Sequence, residues 1–179
     1  MTSLRSVIGP ARAARVLLAG WLTAAGMAAA HAADRAVPVV VELFTSQGCN
    51  SCPPADAYLG ELARRPDVLA LSFHVDYWDY LGWKDPFAQH MFTIRQRDYS
   101  RALAQRYVYT PQMVVNGERE GVGSERRAVD SLIAAALDEQ KKVPRPLLRR
   151  EGHDLRIDSG AEGPATVWLA VFDVNRSTP

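Results

Sequence analysis

Apolar positions fall along the chain in two different rhythms. Val37 to Phe44 reads V-P-V-V-V-E-L-F, a nearly continuous apolar run of strand length, and Val68 to Val75 is a second such run. The first run predicts a strand buried on both faces of a mixed or parallel sheet, and the second a further apolar strand. Glu42 is the one charged interruption of the first. Between the two, Tyr58, Leu59 and Leu62 recur at helical spacing within Ala55 to Arg65, which predicts a helix joining the strands.

The next passage, Asp76 to Trp83, is dense in aromatic and acidic residues and predicts a loop or a broken helical turn. Asp85 and Pro86 then predict the cap and first position of a second helix. Its apolar stripe is Phe87, Met91, Ile94, Tyr99, Ala102 and Leu103, and it runs to about Arg106. Pro111 leads into a short strand, Gln112 to Val115, followed by an Asn116-Gly117 hairpin signal and a return segment through Val122. Ser124 predicts the cap of a third helix whose Val129, Leu132, Ile133, Ala136 and Leu137 share one face. Beyond a break at Pro144-Arg145-Pro146, His153 to Asp158 and Ala165 to Val174 predict two strands joined by a Gly/Pro turn.

The first thirty residues follow another logic. Arg5, Arg12 and Arg15 precede an apolar run from Val16 to Ala30, and Ala30-His31-Ala32 offers the small residues that a signal peptidase reads. That run is shorter than the roughly 20 residues needed to span a bilayer, so a cleaved leader is expected, with no stable membrane span after its removal, and a transmembrane anchor is the weaker alternative. The formal charge of +1 on 179 residues gives no reason to expect nucleic acid as a partner. Export matters for the two cysteines, since a periplasm is kept oxidising and disulfides persist there.

Those cysteines, Cys49-Asn50-Ser51-Cys52, lie between the first buried strand and the first helix. A thiol at a helix N-terminus has a lowered pKa, and a second thiol two residues further on can resolve a mixed disulfide. Cys49 is therefore the expected attacking thiol and Cys52 the resolving one; the alternative is a static disulfide that pins the turn. Proline is tolerated in a helix's first turn, but Pro53 and Pro54 disfavour helical geometry at Cys52 and Pro53, which argues against a helix beginning as early as Cys49. Zinc needs more ligands than two cysteines with His74, His90 and His153 scattered along the chain.

Two further positions bear on the redox chemistry. Thr110-Pro111 stands where a thioredoxin-like fold carries a cis-proline against its CxxC, and an ordinary trans turn proline is the alternative. Glu42, seven residues before Cys49, is a candidate proton acceptor for the resolving thiol or else a strand glutamate paired with an arginine. His74, Asp76 and Asp79 offer a divalent-metal set, or a copper site together with the cysteines. Tyr77, Trp78, Tyr80 and Trp83 predict either a wall of a substrate groove or a small satellite core.

Three segments, V-V-V-E-L-F-T-S-Q-G-C-N-S-C-P-P-A-D, H-V-D-Y-W-D-Y-L-G-W-K-D-P-F and Y-T-P-Q-M-V-V-N-G, resemble in order a family of secreted bacterial proteins of unknown function with a thioredoxin-like fold. The resemblance spans Val39 to Val174 and implies the fold, export and a CxxC. It matches Cys49 and Cys52 to the redox pair and Pro111 to the cis-proline position, with Asn50-Ser51 standing where thioredoxins usually have Gly-Pro. Family members extend further at the C-terminus, which implies that the β annex here is partial.

The expectation is thus an α/β chain: a leader over residues 1–32, a thioredoxin-like mixed sheet with flanking helices over 33–143, and a short β extension over 144–179. The expected function is periplasmic or secreted thiol–disulfide exchange on protein thiols or disulfides. Cys49, Cys52, Pro111 and Glu42 carry it, and no cofactor or metal is needed beyond the disulfide. A non-catalytic binding module with a structural disulfide and a copper-handling protein are the alternatives.

Overall fold

A computed structural model describes residues 37–142, 146–160, 163 and 171–173. The expected leader lies outside them, and the expected strand from Ala165 to Val174 is described only at 171–173, which carry no regular structure. Among the described residues no helix is long and apolar enough to cross a membrane.

The first apolar run forms β1 (Val39–Thr45), and the second forms β2 (Val68–His74), joined by α1 (Pro53–Leu62). A short 3-10 turn over Asp79–Leu81 precedes α2 (His90–Ala102), and then come β3 (Gln112–Val115), β4 (Arg119–Val122) and α3 (Arg126–Gln140). The sheet order is β2-β1-β3-β4. β1 and β2 run parallel, while β3 is antiparallel to both β1 and β4. This is the α/β class with a mixed sheet that the apolar runs predict.

Alternation along β1 sorts its side chains between two layers. Val39, Val41 and Leu43 pack with Ala55, Tyr58, Leu59 and Leu62 of α1 and Val129, Ile133 and Ala136 of α3. Phe44 faces the other way, with Val75 and Val114, against Phe73, Tyr77, Trp78, Tyr99 and Leu103. Each fully buried side chain of this size contributes about 1.5–3 kcal/mol relative to exposure. The central strand is therefore apolar on both faces because helices cover both.

Asn116 and Gly117 both take positive φ, 50° and 71°, as the hairpin signal predicts. Asn116 also extends the β1–β3 pairing, its side-chain oxygen accepting the Val40 amide at 2.8 Å while its own amide donates to the Val40 carbonyl at 2.8 Å.

Five local expectations are corrected. α1 starts at Pro53 rather than Ala55, and Cys52 takes helical angles (φ −78°, ψ −34°) in spite of the proline after it. α2 starts at His90, because the Asp85 carboxylate accepts the Phe87 amide at 2.9 Å in a tight turn and does not cap a helix. That helix buries Thr93 and Gln96, whereas Met91 and Ile94 of the expected stripe are exposed. It closes at Ala102 because Ala104 adopts φ 54° and the Gln105 amide reaches back to the Ser100 carbonyl at 2.8 Å. α3 is preceded by Glu125 with no side-chain cap, so Ser124 does not serve as one.

The C-terminal hairpin pairs β5 (Leu147–Glu151) with β6 (Asp154–Asp158) in a separate two-stranded sheet. The strand over His153 to Asp158 is present, but its partner precedes it. Gly152 at φ 66° makes the two-residue turn, and every residue of both strands is exposed.

Candidate disulfide site

β1 delivers the chain at its C-terminal end into the turn Ser46-Gln47-Gly48, and Cys49 and Cys52 follow, bonded to each other. The Cys49 amide donates to the Ser46 carbonyl at 3.1 Å and the Cys52 amide to the Cys49 carbonyl at 3.2 Å, which coils the loop ahead of α1. Cys52 is the N-cap residue of α1, and its carbonyl accepts the Ala55 and Asp56 amides at 2.8 and 3.0 Å. Both cysteines are buried, Cys49 at 3% exposure and Cys52 at 0%.

The Thr110–Pro111 bond is cis and lies beside the disulfide. The Thr110 hydroxyl donates to Cys49 Sγ at 3.2 Å and accepts the Trp78 indole N–H at 2.8 Å. Ser51 Oγ lies 3.6 Å from Cys49 Sγ and donates to the Thr110 carbonyl at 3.5 Å. The Cys49–Cys52 pair and Pro111, far from it in sequence, thus share one site. Nothing in the sequence flags Thr110 as a contact of the sulfur or Trp78 as a contact of Thr110; the position of Thr110 just before Pro111 is the one signal that points near it.

Glu42 is placed elsewhere. It faces α2, where both its oxygens receive Arg95, at 2.6 and 2.8 Å, and Oε1 also receives the Tyr99 hydroxyl at 2.7 Å. Burial, reinforced by the adjacent Glu42 carboxylate, pushes the Tyr99 phenol well above its ordinary value. The arginine-paired alternative describes Glu42, on the sheet face opposite α1. Asp56, in the first turn of α1, has its carboxyl raised above the ordinary value by desolvation, with His74 working against the rise.

The residues of the expected metal set do not converge. His74 Nδ1 lies 2.6 Å from Asp85 Oδ2, Asp76 binds His90 at 2.8 Å and Thr93 at 2.6 Å, and Asp79 accepts the Asp85 amide at 3.2 Å. Among the described residues no group of three or more His, Cys, Asp or Glu is arranged to hold a metal ion. Asp85 is the unforeseen centre of this region: it is buried and also accepts the Gln47 amide, at 2.8 Å, in the turn that precedes Cys49. Burial works to raise its carboxyl, yet Gln47, His74 and Phe87 outweigh that and hold it below the ordinary value.

The aromatic passage divides. Tyr77 and Trp78 pack against the Phe44 cluster, so the satellite-core expectation fits them. Tyr80 and Trp83 are 77% and 58% exposed, and the Trp83 indole donates to the Gln47 side chain at 2.9 Å. Trp83 therefore borders the turn that leads to the disulfide.

Comparison with solved structures finds a crystal structure of a protein from Agrobacterium tumefaciens, 43% identical, with a TM-score of 0.59. The match covers 68% of this chain and 55% of that one, so the present chain spans little more than half the length of its relative. No functionally curated protein matches. Residues 40–179 match the family model described as Protein of unknown function (DUF1223), and the chain belongs to that family.

Proposed function

We propose that the protein is a thioredoxin-like thiol–disulfide exchange protein of the periplasm, acting on protein thiols or disulfides through Cys49 and Cys52. The observation that carries this is the hydroxyl contact on Cys49 Sγ from Thr110, a residue 61 positions away that directly precedes Pro111. A disulfide that merely pinned a turn would need no donor brought to one sulfur from the distant loop that precedes β3. The α/β sheet, with the CxxC between β1 and α1, supports the same reading. The Arg-bearing apolar leader supports export to an oxidising compartment. In this reading Cys49 is attacked or attacks, Cys52 resolves, Pro111 shapes the surface beside them, and Glu42 ties α2 to the sheet.

A second reading rests on the burial of both sulfurs. It makes the disulfide structural and the exposed Tyr80, Leu81 and Trp83 the contact face of a binding module.

Equilibration in glutathione buffers of graded potential, with free thiols counted by alkylation, separates the two. Exchange predicts a reversible midpoint between about −270 and −120 mV. A disulfide still closed well below about −300 mV overturns exchange in favour of the structural bridge.

A further inference from the structure

A sulfur released from a disulfide as thiolate needs hydrogen-bond donors, and the start of α1 is poorly supplied with them. Pro53 and Pro54 occupy its first two positions and have no N–H to offer. The next two amides, Ala55 and Asp56, are taken by the Cys52 carbonyl. The helix N-terminus that usually serves such a thiolate is therefore depleted at this site.

Thr110 fills that place. An indole N–H only donates, so the hydroxyl that accepts it at 2.8 Å uses a lone pair on Trp78 and keeps its proton for another acceptor. That acceptor is Cys49 Sγ, 3.2 Å away. A disulfide sulfur accepts weakly and a thiolate strongly, so the same contact favours the opened form. We propose that the Thr110 hydroxyl, its proton directed to sulfur by the Trp78 indole, is the donor that stabilises the Cys49 thiolate, with Trp78 the positioning residue. This rests on the exchange reading and deepens it.

The step balances as follows. A substrate thiolate attacks Cys49 Sγ, the Cys49–Cys52 bond breaks, and Cys52 leaves with the electron pair and takes up one proton. The second substrate thiol, losing its proton to solvent, attacks the mixed disulfide and displaces Cys49 as thiolate. The substrate dithiol is oxidised and the pair reduced by two electrons. Stabilising the departing Cys49 thiolate favours this direction, that of an oxidant. The ionisable groups on the neighbouring elements are Asp56 of α1, His74 of β2, and Tyr77 and Asp85 beyond it; the Tyr77 phenol neighbours the Thr110 side chain and gives its own proton to Gln96. Among the described hydrogen bonds none of them reaches the Cys49 sulfur.

The test is the pH profile of alkylation at Cys49 in the full chain reduced with a phosphine, the site of modification being located by mass spectrometry. Thr110→Val should raise the thiol pKa by about one unit, about tenfold less thiolate at a given pH below it, whereas Thr110→Ser should restore the parent profile. Trp78→Phe, which frees the hydroxyl to turn away, should raise it by less. An unchanged profile in folded Thr110→Val overturns the proposal. If that variant does not fold, the Trp78→Phe profile decides, a rise supporting the proposal and no change overturning it. Because chemical reduction opens the disulfide regardless of its potential, a Thr110-dependent profile with a bridge that glutathione cannot open would leave this proposal standing and remove the exchange reading.

Discussion

Asp85 shows how much one buried carboxylate can organise. Its oxygens accept the Gln47 and Phe87 amides and pair with His74, so it fastens the turn before Cys49 to the loop after the 3-10 turn. Asparagine at this position has one acceptor oxygen and would turn an NH₂ group toward a backbone N–H. Asp85→Asn should therefore cost about 2–3 kcal/mol in urea unfolding, the range for a lost charge-assisted bond with a partner left unsatisfied. The carboxyl is held below its ordinary value of 3.8, so the stability it adds is present above that value and lost as pH falls through its lower folded-state value. Asp76 is lowered too, by Thr93 and His90, and adds to the same acid loss. Unfolding free energy measured across pH 2 to 6 should fall steeply at the acid end, at or below about 4, and Asp85→Asn should flatten that slope. A slope that is the same in both proteins would mean that other carboxylates govern acid unfolding.

α2 is held to the sheet by polar contacts that a search for apolar stripes passes over. Gln96 is fully buried, accepts the Tyr77 hydroxyl at 3.1 Å, and donates to the Tyr109 carbonyl at 2.7 Å and to Gln112 at 2.9 Å. Gln96→Leu keeps the volume near constant and strands these partners, so a loss of about 2–3 kcal/mol in chemical unfolding is expected. A neutral result would show that apolar packing alone docks this helix. β1 and the Val129–Ile133–Ala136 face of α3 follow directly from the pattern because their burial is apolar, and β2 is legible as an apolar run of strand length although it is an edge strand buried only at Val68. The apolar pattern misphases α2 because its buried face is Thr93 and Gln96, and its early end has no glycine to announce it, Ala104 standing at the left-handed position. β5 escapes the pattern because Leu-Leu-Arg-Arg-Glu alternates on neither face. At the site, the CxxC and Pro111 could be read from sequence. The Thr110, Trp78 and Asp85 contacts could not, since each joins residues from 11 to 61 positions apart.

An exchanging disulfide sets a requirement for the molecule as a whole, which is that the fold must survive its opening. Cys49 and Cys52 are separated by only 3 positions, so the loop they close is among the shortest possible and constrains the unfolded chain little. Chain-entropy arithmetic for a loop of that size gives about 2 kcal/mol at room temperature. Against this stand two packed layers, one on each face of β1, built from residues that do not include the cysteines. Reduction should therefore lower the urea unfolding free energy by about 2 kcal/mol and leave far-ultraviolet circular dichroism unchanged at neutral pH. Loss of secondary structure on reduction alone would make the bridge a structural necessity, and the buried sulfurs would then belong to a binding module. Persistence of the fold would leave Cys49 free to carry charge in an intact site. Only in that circumstance can the Thr110 hydroxyl act on it.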